Sequence, residues 1–170
     1  MRARDARAWR AIRLEALASA PEAFGASHDD WAGRPLEDFA ERLEASQLWA
    51  AGRIAGQPDA VAALEDNLSP AEPDLGWIMS VYVRPAMRGY GLGDALLARL
   101  AGVAARRGMT RLGLHVGRDN HPARALYSRG GFIETGAPPF VNERGVTEIE
   151  MRMMLPRSRL RDLMRAIRGT

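Results

Sequence analysis

Val81-Tyr82-Val83-Arg84-Pro85-Ala86-Met87-Arg88-Gly89-Tyr90-Gly91-Leu92-Gly93 joins three parts in order. A strand delivers the chain, a glycine-rich turn reverses it, and a long helix departs. The first turn of a helix carries unpaired N–H groups and the positive end of the helix dipole. Glycines there remove Cβ atoms and let the backbone approach an anion, while Arg88 adds charge and two-pronged hydrogen bonding. A pyrophosphate is the natural occupant of such a bend. A dinucleotide fingerprint counted from Gly89 would need glycine where Asp94 stands. A phosphate loop needs a lysine, and all 24 residues counted as Lys or Arg are arginine. What remains is R-x-x-G-x-G at Arg88, Gly91 and Gly93. The competing reading is a helix that simply starts from a flexible glycine turn, and the motif alone does not choose between them.

Working outward from this bend, the helix runs from Gly91 to Arg107, with Leu92, Leu96, Leu100 and Val103 on its core face and Gly108 as its stop. Upstream, Leu48–Arg53, Ala60–Glu65 and Gly76–Val83 read as strands. Gly56-Gln57-Pro58-Asp59 supplies a turn between the first two, which suits an antiparallel connection. Before them, residues 5–18 place Trp9, Ile12, Ala16 and Leu17 at helical spacing. A loop or broken helix covers Pro21 to Pro35, and a second helix follows with Leu36, Phe39 and Leu43 on one face. Downstream, Arg111–Val116 is a strand, Pro122–Arg129 a helix stopped by Gly130-Gly131, and Phe132–Thr135 and Val146–Leu155 are the last strands. Beyond Pro156, Leu160, Leu163, Met164 and Ile167 form a basic amphipathic helix over 157–170. The order of elements predicts an α/β (α+β) single domain, a mixed, mostly antiparallel sheet flanked by helices.

Composition bounds the function. With 170 residues, 46% hydrophobic and 26% charged, the chain matches one ordinary globular domain. No run of eighteen apolar residues is available to span a membrane. Arg7, Arg10, Arg13 and Glu15 interrupt the apolar core that a secretory signal needs, so a cytoplasmic location is expected. The absence of cysteine excludes disulfides, thiolate metal sites and cysteine nucleophiles, and the absence of lysine excludes Schiff-base chemistry. His28, His115 and His121 lack metal-ligand spacing, so no metal is predicted. The net charge of +3 favours anionic partners in general. The arginines are spread over both ends with no aromatic-basic recognition motif, so nucleic acid is not a favoured partner.

A second motif, Asn120-His121-Pro122-Ala123-Arg124-Ala125-Leu126-Tyr127-Ser128-Arg129-Gly130-Gly131-Phe132, follows the strand at 112–116. The two together resemble the GNAT superfamily of N-acetyltransferases. That family pairs R-x-x-G-x-G with N-x-x-A-x-x-L-Y-x-x-x-G-F at about this distance, and every named position is present here. The likeness also covers the Leu14–Ala26 region and the ending at Met151–Leu155, so it implies a GNAT-like domain over 1–156 with the basic helix as an addition.

The resemblance implies that acetyl-coenzyme A is the acyl donor. Arg88, Gly89, Tyr90, Gly91, Gly93 and Asp94 would meet its pyrophosphate. Val81 and Val83 would offer main-chain hydrogen bonds to the pantetheine arm, which lies in a gap where the fourth and fifth strands splay, commonly beside a bulge. Asn120 and Ala123 would contact the arm, and Tyr127 would point its hydroxyl at the sulfur as the catalytic acid. Relatives begin with a full strand, for which only Met1–Arg4 is available here.

Each residue also has a plainer role: Asn120 as a helix cap, Tyr127 as a packing tyrosine. The acceptor is expected to be a small-molecule or peptide amine attacking directly in a ternary complex, with Glu65, His115 or a water as base. Phe24–Trp31, the 66–74 loop and Pro138 to Glu143 are expected to build the acceptor pocket, with Trp31, Trp77, Phe140, Asp66 and Glu143 as an aromatic and acidic lining. A sensor that binds acetyl-coenzyme A without turnover is the alternative. The C-terminal helix has three readings: packing on the domain, a homodimer contact, or attachment to an anionic surface.

Overall fold

The structure, a computed structural model, describes residues 1–54 and 57–155, with residues 47–54 given by their backbone. The basic segment 157–170 lies outside the described residues. A short 3-10 turn at Ala3–Asp5 leads into α1 (Ala6–Ser19), α2 (His28–Ala32) and α3 (Leu36–Ala45). Strands β1 (Gln47–Ile54), β2 (Gln57–Asp66) and β3 (Leu75–Val83) follow, then α4 (Leu92–Arg106), β4 (Arg111–Gly117), α5 (His121–Arg129), β5 (Ile133–Glu134), β6 (Phe140–Val141) and β7 (Thr147–Met154). Strand order is β1-β2-β3-β4-β7-β5, with β6 also on β7. Among the described pairs only β3 and β4 run parallel. No described helix is long and apolar enough to cross a membrane.

Period-two alternation in β2 divides the core. Ala60, Ala62 and Leu64 face α4, where they join Leu96, Leu100, Leu112, Leu114 and Met151. Val61 and Ala63 face the other way, onto Trp9, Ile12, Leu17 and Phe39 of α1 and α3. Small alanines on a strand buried on both faces let the helices approach closely. Trp9, Trp31 and Phe39 close the α1–α3 layer with edge-to-face contacts, ring centroids 5.1–5.7 Å apart.

Two departures from the sequence reading have physical reasons. The turn expected at Gly56–Asp59 is shorter, because Gln57 and Pro58 already pair with Ile54 and Arg53. Pro58 lies near the start of β2, ahead of the first β2–β3 pair at Ala60–Val83, where a strand tolerates proline. At the front, Ala3–Asp5 is a 3-10 turn, and among the described residues no strand precedes α1.

The sheet opens at its middle. β3 and β4 pair over Leu75–Trp77 and Arg111–Gly113 only and then part, β3 running on beside β2 to Val83 and β4 beside β7 to Gly117. These are the third and fourth strands here, and the fourth and fifth when a first strand is counted. At the closed end, Asp74 binds Thr110 and Arg111 through its carboxylate, while its carbonyl accepts from the amides of both. Glu72 binds Arg111 (2.8 Å) and Arg152 (2.5 Å), tying β7 to the same point. Opposite, β3 bulges against β2: Val61 pairs with Tyr82 but Ala63 with Met79, so β3 carries one extra residue. Ser80 sits in this bulge at φ 55°, a positive φ that no other described non-glycine residue has.

Candidate active site

The glycine bend is open. Pro85–Met87 form a 3-10 turn, and Gly89 and Gly91 adopt φ of 86° and 77°. A Cβ at either would meet nothing within 4 Å beyond its chain neighbours, so both positions face open space. Gly91 starts α4 with no side-chain cap, and the first helical bond runs from the Ala95 amide to the Gly91 carbonyl. Amides at the first turn are therefore available to an anion. Gly93 serves packing as well: a Cβ there would lie 2.9 Å from Leu126 of α5. Arg88 donates its Nε to the Val83 carbonyl (3.2 Å), which sets its guanidinium beside the end of β3. The Asp94 carboxylate faces Arg129 at 3.4 Å, and Tyr90 is exposed.

Beyond Trp77, β4 no longer pairs with β3, so the stretch holding Val81 and Val83 runs along the open gap. α5 packs its Tyr127 into the core beside Phe132, with ring centroids 6.1 Å apart. Burial pushes the Tyr127 hydroxyl well above the ordinary phenol range, so the group holds its proton at any neutral pH. Asn120 caps α5, its Oδ1 accepting from the Ala123 amide at 3.2 Å. That bond engages the Ala123 N–H and leaves the Asn120 amide nitrogen for other contacts.

On the α1–α3 side of the gap lies a cleft of about 1210 Å³. Phe24, Trp31, Trp77, Phe140 and Glu143 line it, as the sequence suggested, but Asp66 and its loop do not. Asp66 instead binds Arg107 at the end of α4. Of the two side chains considered as bases, Glu65 is held by Arg42 and by Ser46 (2.8 Å), which leaves it poorly placed to take a proton. His115 faces the cleft, stacked on Trp77 (4.8 Å) and edge-on to Phe140 (5.0 Å), with Glu150 3.8 Å from its Nε2.

Arg13 also lines the cleft, and the sequence reading passed over it. It is 9% exposed. Among the described residues no carboxylate lies within 4 Å of it, and its buried Nε has no partner. Nη1 donates to Ser80 Oγ over 3.4 Å, and the guanidinium lies over Phe24 (5.2 Å) and Trp31 (5.5 Å). Burial, and after it the charge of Arg42, lower Arg13 to about 10, so it stays charged at neutral pH. An ion taken out of water costs several kcal/mol, and an aromatic contact returns about 0.5–2 kcal/mol. The balance is a cationic site in deficit. Its signal was in the sequence: position 13 lies four residues from Trp9 and four from Leu17, on the apolar face of α1.

Residues 9–132 match the model of the Acetyltransferase (GNAT) family. A mycothiol acetyltransferase of Beutenbergia cavernae is 35% identical over 127 residues, 74% of this chain and 40% of that protein, so the chain spans well under half the relative's length. A GNAT-family acetyltransferase of Streptococcus pneumoniae superposes with a TM-score of 0.76 at 18% identity, covering 92% of this chain and 96% of that one. yncA of Salmonella typhimurium, solved with its cofactor acetyl-CoA, gives 0.71 at 24% identity over 92% of this chain and 91% of its own.

Proposed function

The chain belongs to the GNAT family of acetyltransferases, and on that premise we propose that it moves an acetyl group from acetyl-coenzyme A to an amine. The observation that carries the reading is the unfilled bend at Arg88–Gly93 beside a parallel strand pair that parts after three residues. Uncapped amides of α4 and the Arg88 guanidinium would hold the diphosphate, and the free edge of β3 around Val81 and Val83 would hold the arm. Bound there, acetyl-coenzyme A supplies the acetyl group as a thioester.

The chain's own residues then have two proton tasks. Tyr127, kept neutral by burial, holds a proton for the departing sulfur. A free thiol has a pKa of about 8.5 and a free tyrosine about 10, and burial raises Tyr127 further, so this donation runs uphill until charge develops beside the hydroxyl. His115, facing the cleft, takes a proton from the acceptor's ammonium so that the neutral amine attacks the thioester carbonyl, with Glu150 beside Nε2 to balance the charge gained. The absence of cysteine from the chain favours direct attack by the amine over an enzyme-bound acyl thiol. An acceptor in the cleft and a donor in the gap would be held together, which itself lowers the barrier.

Calorimetry with acetyl-coenzyme A, followed by thiol release over amino acids, polyamines, aminoglycosides and peptides, tests this. Uptake with release on at least one amine class is expected. Uptake without release on any of them would support the sensor reading, and no uptake would remove the acyltransferase reading.

A further inference from the structure

Resting on that reading, we propose that the acceptor is an amine that also carries an oxyanion, in the simplest case a carboxylate, and that Arg13 receives it. Three arginines line the cleft, and two are already matched. Arg34 faces Asp38 at 3.7 Å and Arg42 binds Glu65. Arg13 has no acidic partner among the described residues, although it is the most buried of the three. A guanidinium held by two aromatic faces and one long hydroxyl contact is fixed in place without being neutralised. Its planar fork matches a carboxylate, and a partner bound there would complete what the fold leaves undone. The other wall has the opposite character. Trp77, His115 and Phe140 form an aromatic surface with Glu143 and Glu148 nearby, which suits an ammonium. A ligand bridging the cleft would therefore place its amine toward His115 and its anion toward Arg13.

The test compares amino acids of small, aromatic and acidic side chain with their carboxamides, and adds taurine and 2-aminoethylphosphonate to tell carboxylate from other oxyanions. In thiol-release assays the oxyanion-bearing member of a pair should be used at least about tenfold better, the size expected of a hydrogen bond to a charged group. Arg13→Met should raise its KM by about 10–100-fold and erase the preference. The KM for acetyl-coenzyme A and the rate on the carboxamides should stay unchanged, and Arg13→Lys should recover part of the loss. Melting temperature of Arg13→Met should equal or exceed that of the parent, since a merely structural arginine would lower it.

Equal use of acids and carboxamides, or an equal loss on both in Arg13→Met, overturns the inference while leaving acetyl transfer standing. Should acetyl-coenzyme A not bind, a melting-temperature rise with millimolar amino acid, absent in Arg13→Met, would still uphold it. No rise with any of these compounds would reject it.

Discussion

Tyr127 lies almost wholly inside the core, and its hydroxyl is raised above the phenol range by burial alone. Burial disfavours the phenolate, so the folded chain keeps the neutral donor until pH climbs through the raised folded value, above the ordinary phenol value of about 10. A fall in rate between pH 6 and 9 would thus belong to another group. Tyr127→Phe removes one oxygen from a packed ring and should leave stability and acetyl-coenzyme A affinity nearly intact. If it is the acid, kcat should drop by about 10²-fold or more, measured at saturating donor; an unchanged kcat leaves Tyr127 as packing. At this scale the motif residues were legible because their spacing is fixed by the chemistry they would serve. Arg88, Gly91 and Gly93 stood out in the glycine turn before a helix, and Asn120 and Tyr127 through the resemblance carried by the second motif. The cap made by Asn120 was legible too, as the plainer of its two roles. Arg13 was hidden because apolar residues mark the buried face of a helix, and a cation on that face breaks the pattern.

The elements themselves were read almost to their ends, since α1, α3 and α4 carry strong stripes and β2 and β3 are flanked by turn residues. The bulge in β3 was not visible in the residues and was expected only through the resemblance. It places Ser80 at positive φ, and serine has no special liking for that region. The distortion has a use, for the extra residue turns β3 beside the gap and offers Ser80 Oγ to Arg13. Substituting Ser80 with valine adds a branched Cβ where the backbone is least tolerant, and should lower unfolding free energy by about 1–3 kcal/mol in urea titration. Ser80→Gly relieves the backbone and should match or exceed the parent in stability. Equal stability of the valine and glycine variants would mean that Ser80 does not hold that conformation in solution. The two-residue strand β6 escaped the sequence reading because so short a segment has no periodicity to detect.

At the scale of the molecule, the sheet is a wedge. Asp74 and Glu72 fasten β3, β4 and β7 at one end through Thr110, Arg111 and Arg152, and the gap opens at the other. No local sequence signal announces such a clamp, because its members lie 36 to 80 residues apart along the chain. The Arg111 and Thr110 hydrogen bonds hold the Asp74 carboxyl down to about 2, and Arg152 with Arg111 lowers Glu72 in the same direction. A carboxylate depressed in the folded state contributes stability that is fully present above its unfolded value, near 4, and is lost as pH falls toward the folded one. The clamp should therefore loosen between about pH 4 and pH 2, and not in the neutral range. Asp74→Asn isolates the effect. Its urea midpoint should lie below the parent's at pH 7, and the two should converge as pH approaches 2. Since the exposed surroundings of Asp74 screen its charge, the gap at pH 7 should also narrow in molar salt. Parallel pH curves for the two proteins would mean that the carboxylate at Asp74 does not fasten the closed end, and that the hydrogen bonds from the Thr110 and Arg111 amides to its carbonyl hold the strands by themselves.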